Sequence, residues 1–128
     1  MALRISAIWA LLLGTVLAAL EIRANWGNWQ FWPFWLVDFV ASALLVLGAL
    51  AYWRRHPKAQ ALLAAGWAFT FGMAWMSFGL NLESGPDPAR DERLGGAYLL
   101  LVGSLVASPL AGLVLTMIGK PRATEKLD

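Results

Sequence analysis

Four long apolar stretches, separated by short polar segments, make up most of the 128-residue chain. They cover residues 5–22, 32–53, 59–82 and 95–118. A helix needs about 20 apolar residues to cross the roughly 30 Å hydrocarbon core of a bilayer, and each stretch is close to that length. The pattern predicts an all-α integral membrane protein, a single bundle of four transmembrane helices. A cleaved secretory signal peptide is the competing interpretation of the first stretch, because Arg4 precedes it.

Proline and glycine mark the ends of these stretches. Pro33 suits the first turn of the second helix, where its missing N–H costs nothing. Pro57 lies in the short connection to the third helix, and residues 84–88 form a loop rich in Gly and Pro. The fourth helix is predicted to end at Gly119-Lys120-Pro121.

Composition supports a membrane protein and excludes several kinds of site. Charged residues are 14% of the chain, against about a quarter in a typical soluble domain, and hydrophobic residues are 59%. The chain contains no cysteine, which excludes disulfides and thiolate ligands, and its one histidine, His56, cannot form a bis-histidine or zinc site alone. The basic residues flank apolar stretches, so we expect no nucleic-acid partner.

The positions of Lys and Arg predict the orientation in the membrane. Seven of the ten lie at the two ends of the chain or in the connection between the second and third helices. They are Arg4, Arg54, Arg55, Lys58, Lys120, Arg122 and Lys126. The positive-inside rule then predicts that both termini are cytoplasmic, with the 1–2 and 3–4 loops outside. We expect a bacterial inner (plasma) membrane.

Small residues spaced by four predict where helices pack, because close backbone approach drives helix association in lipid. Such columns occur on the third helix at Ala64, Ala68 and Gly72, and on the fourth at Gly103, Ala107 and Ala111 and at Ser104, Ser108 and Gly112. We expect the third and fourth helices to meet there. The same columns could instead contact another chain.

The strongest candidate for a binding site is a tryptophan-rich stretch that leads to one carboxylate. Trp26, Trp29, Trp32 and Trp35 precede Asp38, which lies about five residues, or ~7 Å, inside the second helix. A charge at that depth costs ~2–3 kcal/mol unless it is paired or solvated, so an acid there suggests a function. A structural hydrogen bond is the alternative interpretation of Asp38, and an interfacial aromatic belt is that of the tryptophans.

Further side chains are candidates for the same site. Ser42 lies one turn below Asp38 and can donate a hydrogen bond, and Glu21 and Glu83 end near the same leaflet. Aromatic faces beside a carboxylate suit an apolar organic cation. The hypothetical ligand-binding set is therefore Glu21, Trp29, Trp32, Trp35, Asp38, Ser42 and Glu83.

Three functions remain open at this point. The first is a small non-catalytic membrane protein, an accessory subunit or a hydrophobic-ligand-binding module. The second is a small oligomeric transporter or channel that uses Asp38 as its proton- or cation-coupling residue. The third, a lipid-modifying enzyme, lacks any catalytic motif, so we expect no enzyme, no catalytic residue and no metal site. The candidate partners are the lipid bilayer, a membrane protein or second copy, and an apolar or cationic small molecule; the sequence indicates no particular cofactor.

Overall fold

The computed structural model describes residues 1–27, 32–85, 88, 92 and 97–120. The described residues include four long helices: α1 (Ala2–Asn25), α2 (Trp32–Trp53), α3 (Ala59–Ser84) and α4 (Tyr98–Ile118). Each is long and apolar enough to cross a membrane, and no strand lies among the described residues. The prediction of an all-α chain with four such helices is confirmed for this part of the chain.

Two helices extend further than the apolar pattern predicts. α1 begins three residues before residue 5 and ends three after residue 22, so that it also includes Arg4 and Arg23. α3 continues through Glu83 to Ser84. Long charged side chains are tolerated at such ends because their heads can reach the interface. α4 begins at Tyr98 rather than at residue 95, which lies outside the described part.

The helices run antiparallel to their sequence neighbours. α1 packs against α2 and α4, and α3 packs against the same two helices. Leu3 of α1, Tyr52 of α2 and Ala59 of α3 belong to one buried apolar cluster. A β-carbon added at Gly119, just after α4, would lie 2.8 Å from the Leu3 Cβ atom. These four helix ends therefore meet at one end of the bundle, the terminal end; we call the opposite end the loop end.

Three glycines bring the backbones of α1, α2 and α3 close together. A β-carbon added at Gly14 of α1 would lie 3.0 Å from a carbonyl oxygen of α2. One at Gly48 of α2 would lie 3.0 Å from the α3 backbone, and one at Gly66 of α3 would lie 3.1 Å from the α2 backbone. These distances are shorter than ordinary van der Waals contacts of a side chain. Glycine thus allows the close approach that stabilises helix pairs in lipid.

α3 and α4 pack side by side, but the small-residue column predicted on α3 is largely absent from their contact. Ala68 and Gly72 are exposed, and nothing lies within 4 Å of a β-carbon added at Gly72. Ala64 is half-buried. The buried residues of α3 are instead Ala59, Leu63, Gly66, Trp67, Thr70 and Ala74.

The contact between α3 and α4 pairs a large side chain on α3 with a small residue on α4. The predicted pairing of two small-residue columns is therefore wrong. A β-carbon added at Gly112 would lie 2.4 Å from the ring of Trp67. Gly103 faces the ring of Phe78, with 3.6 Å between the added β-carbon and the ring. The other predicted positions on α4 are less buried: Ser104 and Ala107 are exposed, and Ser108 and Ala111 are half-buried.

A tight turn joins α2 to α3. Arg55 adopts a left-handed conformation, with φ of 56°. Its N–H donates to the Tyr52 carbonyl, and the His56 N–H donates to the Ala51 carbonyl. This pair of bonds is a Schellman motif, which satisfies carbonyls that the helix end leaves free. The Lys58 N–H then donates to His56 Nδ1 at 3.2 Å, at the start of α3.

Charged side chains are distributed unequally between the two ends of the bundle. At the terminal end, the charged side chains in the described part of the chain are all basic and exposed. We call them the basic rim: Arg4, Arg54, Arg55, Lys58 and Lys120. The acidic residues of α1, α2 and α3 all lie at the loop end.

Candidate functional site

One face of α2 carries the aromatic and acidic side chains of the predicted site. Trp35, Asp38, Phe39 and Ser42 follow a spacing of three and four, which places them on the same side of a helix. The first three are half-buried and Ser42 is buried. Pro33 in the first turn favours the start of the helix just ahead of them. This face is turned toward α1.

Glu21 of α1 completes an acidic pair at the loop end. Its side chain is hydrogen-bonded to that of Asp38. The close approach of the two helices at Gly14 holds their facing surfaces together below this point. The two carboxyl groups therefore lie next to each other between α1 and α2.

Aromatic rings lie next to the acidic pair. The rings of Trp35 and Phe39 meet edge to face, with centroids 5.6 Å apart and planes at 83°. Such a pair has negative ring faces, which attract a cation within about 6 Å of a centroid. We call Glu21, Trp35, Asp38 and Phe39 the carboxyl site. Its chemistry combines two neighbouring carboxyl groups with apolar ring surface.

The other predicted site residues have separate positions. The Ser42 hydroxyl donates to the main-chain oxygen of Asp38 at 2.8 Å. A buried serine in a helix commonly bonds back to the carbonyl four residues earlier. Trp32 and Glu83 are exposed at the ends of their helices. Trp29 lies outside the described residues.

A second polar feature, which the sequence analysis did not single out, is a chain of hydrogen bonds near the terminal end. Trp67 Nε1–H donates to Ser6 Oγ at 2.8 Å, and Ser6 Oγ lies 2.6 Å from Thr116 Oγ1. Thr116 Oγ1 donates to the Gly112 carbonyl at 2.8 Å. With the Ser6 hydroxyl donating to Thr116 Oγ1, the Trp67 N–H and the two hydroxyl groups each have one acceptor. The chain links α1, α3 and α4, and we call it the polar chain.

Gln60 adds a connection between α3 and the end of α4. Its side-chain N–H₂ group donates to the Thr116 carbonyl at 2.8 Å and to the Gly119 carbonyl at 3.0 Å. Thr116 lies in the last turn of α4 and Gly119 directly follows the helix, and carbonyls at a helix end have no partner within the helix. The Trp67 ring also meets Trp9 edge to face at 6.0 Å.

These interactions are structural rather than ligand-binding. Ser6, Trp67 and Thr116 are fully buried and satisfied by one another. Their signal in the sequence is the presence of polar residues within apolar helices, which in lipid normally face a bundle interior. Among the described residues, no group of three or more His, Cys, Asp or Glu side chains could hold a metal ion.

Comparison with known proteins adds no further assignment. No protein-family model, curated protein or solved structure matches this chain.

Proposed function

We propose that the protein is a non-catalytic integral protein of a bacterial inner membrane, with its basic terminal end in the cytoplasm. The surface of the bundle supports insertion, because each helix presents large apolar side chains outward. Leu12, Leu47, Met76 and Leu100, one on each helix, are all more than half exposed. Soluble monomers rarely expose such continuous apolar surface. The unequal distribution of basic residues supports the orientation.

We infer that its function is to bind an apolar cation at the carboxyl site. The observation that carries this inference is the half-buried contact of Glu21 with Asp38, beside the rings of Trp35 and Phe39. An acidic group at this depth is costly unless it is neutralised, and a bound cation would neutralise it. The rings would contact the apolar part of the same ligand.

The cation could belong to a free amphiphilic molecule or to a partner membrane protein. In the first case the chain is a hydrophobic-ligand-binding module; in the second it is an accessory subunit. Both use the same chemistry, a positive charge flanked by apolar groups. Native mass spectrometry of the protein extracted gently from its membrane separates them, by a small added mass or a second polypeptide. Recovery of the bare chain alone argues against both.

The binding proposal predicts a charge-dependent affinity. In detergent micelles we would titrate the protein with tetraphenylphosphonium, a permanent apolar cation, and with its neutral analogue tetraphenylmethane. Asp38→Asn should weaken phosphonium binding about tenfold, or ~1.4 kcal/mol, because it removes a partly desolvated negative charge. Binding of the neutral analogue should not change. Isothermal calorimetry measures both.

Glu83→Gln is the matched control, because it removes an exposed carboxylate at the same end of the bundle. It should leave phosphonium affinity unchanged. Glu21→Gln should weaken binding as Asp38→Asn does. Equal affinity of the wild type for the charged and the neutral compound would contradict the proposal, as would equal losses in Asp38→Asn and Glu83→Gln.

A small oligomeric transporter or channel is the second candidate, favoured by the contact of two carboxyl groups, those of Glu21 and Asp38, between α1 and α2. A cation that displaced a proton from these groups would couple its own binding to proton release. In sealed liposomes, a pH gradient should then drive phosphonium movement in the wild type and not in Asp38→Asn. Binding without movement would leave the binding module as the function.

A further inference from the structure

A basic residue lies in or next to the terminal end of each of the four helices. Arg4 lies in the first turn of α1, and Arg54 directly follows α2. Lys58 directly precedes α3, and Lys120 lies two residues after the end of α4. These residues therefore mark the same level around the bundle, at the boundary of all four apolar helices.

No acidic side chain offsets this charge among the described residues of the terminal end. The basic side chains are exposed rather than folded into ion pairs. Arg54 and Arg55 belong to the tight turn after α2. The main-chain hydrogen bonds of this turn fix the backbone at both residues. The described residues of this end thus form a surface of one sign, and an anionic partner is the one that this surface attracts.

Exposed apolar side chains lie immediately beside these charges, further along each helix toward its midpoint. Ile8 is one turn beyond Arg4, and Trp53 directly precedes Arg54. Leu62 is one turn beyond Lys58, and Met117 and Ile118 are both 66% exposed just before Lys120. Each helix therefore combines a positive charge at its end with an apolar strip below it. A free anion would use only the charge, whereas a phospholipid would use both.

We propose that the basic rim binds anionic phospholipid head groups, with the acyl chains lying along the adjacent apolar strips. The proposal rests on the membrane insertion proposed above but not on the carboxyl site. Basic residues beside an anionic surface contribute about 1 kcal/mol each, or about fivefold in affinity per charge. The positive-inside rule alone does not require a preference for anionic phospholipids. Basic residues can direct insertion of the helices without binding particular lipids afterwards.

The test compares lipid retention in nanodiscs that contain equal amounts of phosphatidylglycerol and phosphatidylcholine. Native mass spectrometry counts the lipids that remain bound to the released protein. The wild type should retain phosphatidylglycerol preferentially. The combined Arg54→Gln, Arg55→Gln and Lys58→Gln variant should lower the ratio of retained phosphatidylglycerol to phosphatidylcholine at least tenfold. The preference should also fall as salt is raised.

Arg23→Gln is the matched control, since it removes one basic charge at the loop end. It should leave the ratio unchanged. An unchanged ratio in the triple variant, or an equal fall in Arg23→Gln, would overturn the proposal. Displacement of phosphatidylglycerol by sodium phosphate but not by sodium chloride of equal ionic strength would assign the rim to a soluble anion instead.

Circular dichroism and gel filtration would detect misfolding of the triple variant. A second variant tests the proposal in that case. Arg4→Gln with Lys120→Gln removes two charges on α1 and α4 and leaves the turn between α2 and α3 intact. It should lower the ratio by about fivefold or more. If the wild type and both variants are inserted and helical but show no preference for phosphatidylglycerol, the rim does not bind anionic lipid. The carboxyl-site proposal would be unaffected by that result.

Discussion

At the residue scale, Gly72 and Gly112 differ in a way that neither residue type nor spacing reveals. Both are glycines in apolar helices, and both were predicted to be packing positions. The structure places Gly72 on the outer surface and Gly112 against the buried Trp67 ring. That ring cannot easily move, because it donates a hydrogen bond to Ser6 and contacts Trp9. Space at Gly112 is therefore fixed by several side chains at once.

The two glycines make a matched pair for a stability measurement. Gly112→Ala should reduce the free energy of unfolding by about 1–3 kcal/mol, because the added methyl overlaps the Trp67 ring. Gly72→Ala meets open space and should be neutral or stabilising by up to about 1 kcal/mol, since alanine favours a helix. Titration of the micellar protein with sodium dodecyl sulfate, followed by circular dichroism, measures both. Equal effects of the two substitutions would contradict the described α3–α4 contact.

At the element scale, hydrogen bonds between side chains add to the close packing of helices. The polar chain joins α1, α3 and α4, whereas Gly14, Gly48 and Gly66 join α1, α2 and α3. Glycine contacts act through van der Waals attraction spread over several atoms, whereas a hydrogen bond joins two named atoms at a fixed distance. The polar chain therefore fixes the register of α4 relative to α1.

Ser6→Ala should reduce the free energy of unfolding by about 1–2 kcal/mol, because Trp67 Nε1–H loses its acceptor in a buried place. Ser104→Ala is the control: its hydroxyl is exposed and bonds within its own helix at 2.6 Å. That change should stay within about 0.5 kcal/mol. In a Trp67→Phe background, which lacks the N–H, Ser6→Ala should cost less. An unchanged cost in that background would mean that the Trp67–Ser6 bond contributes nothing.

The helices were largely predictable from the sequence, whereas their contacting faces were not. Long apolar stretches bounded by Pro, Gly and charge indicate where helices lie. In a soluble protein, alternation of apolar and polar residues would also show which face is buried. Here lipid-facing and core-facing positions are both apolar, so Ala68 and Ala74 look equivalent although one is exposed and the other buried. Spacing of small residues could not choose between those faces.

The candidate site was predictable in part for the same physical reason. A carboxylate within an apolar helix is rare and costly, which drew attention to Asp38 and to nearby Glu21. The contact between them depends on the rotation of α1 against α2, which the sequence does not display. The acceptor of the Ser42 hydroxyl was not predictable from the sequence, because a hydroxyl can turn toward either the side chain or the main-chain oxygen of Asp38.

At the scale of the whole molecule, the described charges are distributed unequally between the two ends of one bundle. The basic rim occupies the terminal end, and the acidic residues of α1, α2 and α3 occupy the loop end. Such an arrangement aligns with a membrane that has a negative cytoplasmic surface. It supports the proposed orientation, in which the carboxyl site faces the outer leaflet.

The absence of native cysteine makes the orientation directly measurable. His56→Cys at the terminal end and Glu83→Cys at the loop end keep every Lys and Arg in place, and both positions are exposed. A membrane-impermeant maleimide applied to intact cells should label the second and not the first. After the membrane is permeabilised, both should react. The reverse pattern would invert the proposed topology, and equal labelling in intact cells would argue for mixed orientation.

The span of the polar chain has a consequence for the order in which the protein is made. Ser6 and Thr116 are 110 residues apart, while the glycine contacts join helices that are consecutive in the chain. α1, α2 and α3 can therefore associate as each is synthesised, and Trp67 can reach Ser6 before α4 exists. The bond to Thr116 forms only after α4 has been synthesised. The contact of α4 with α1 therefore cannot precede the synthesis of the three helices before it.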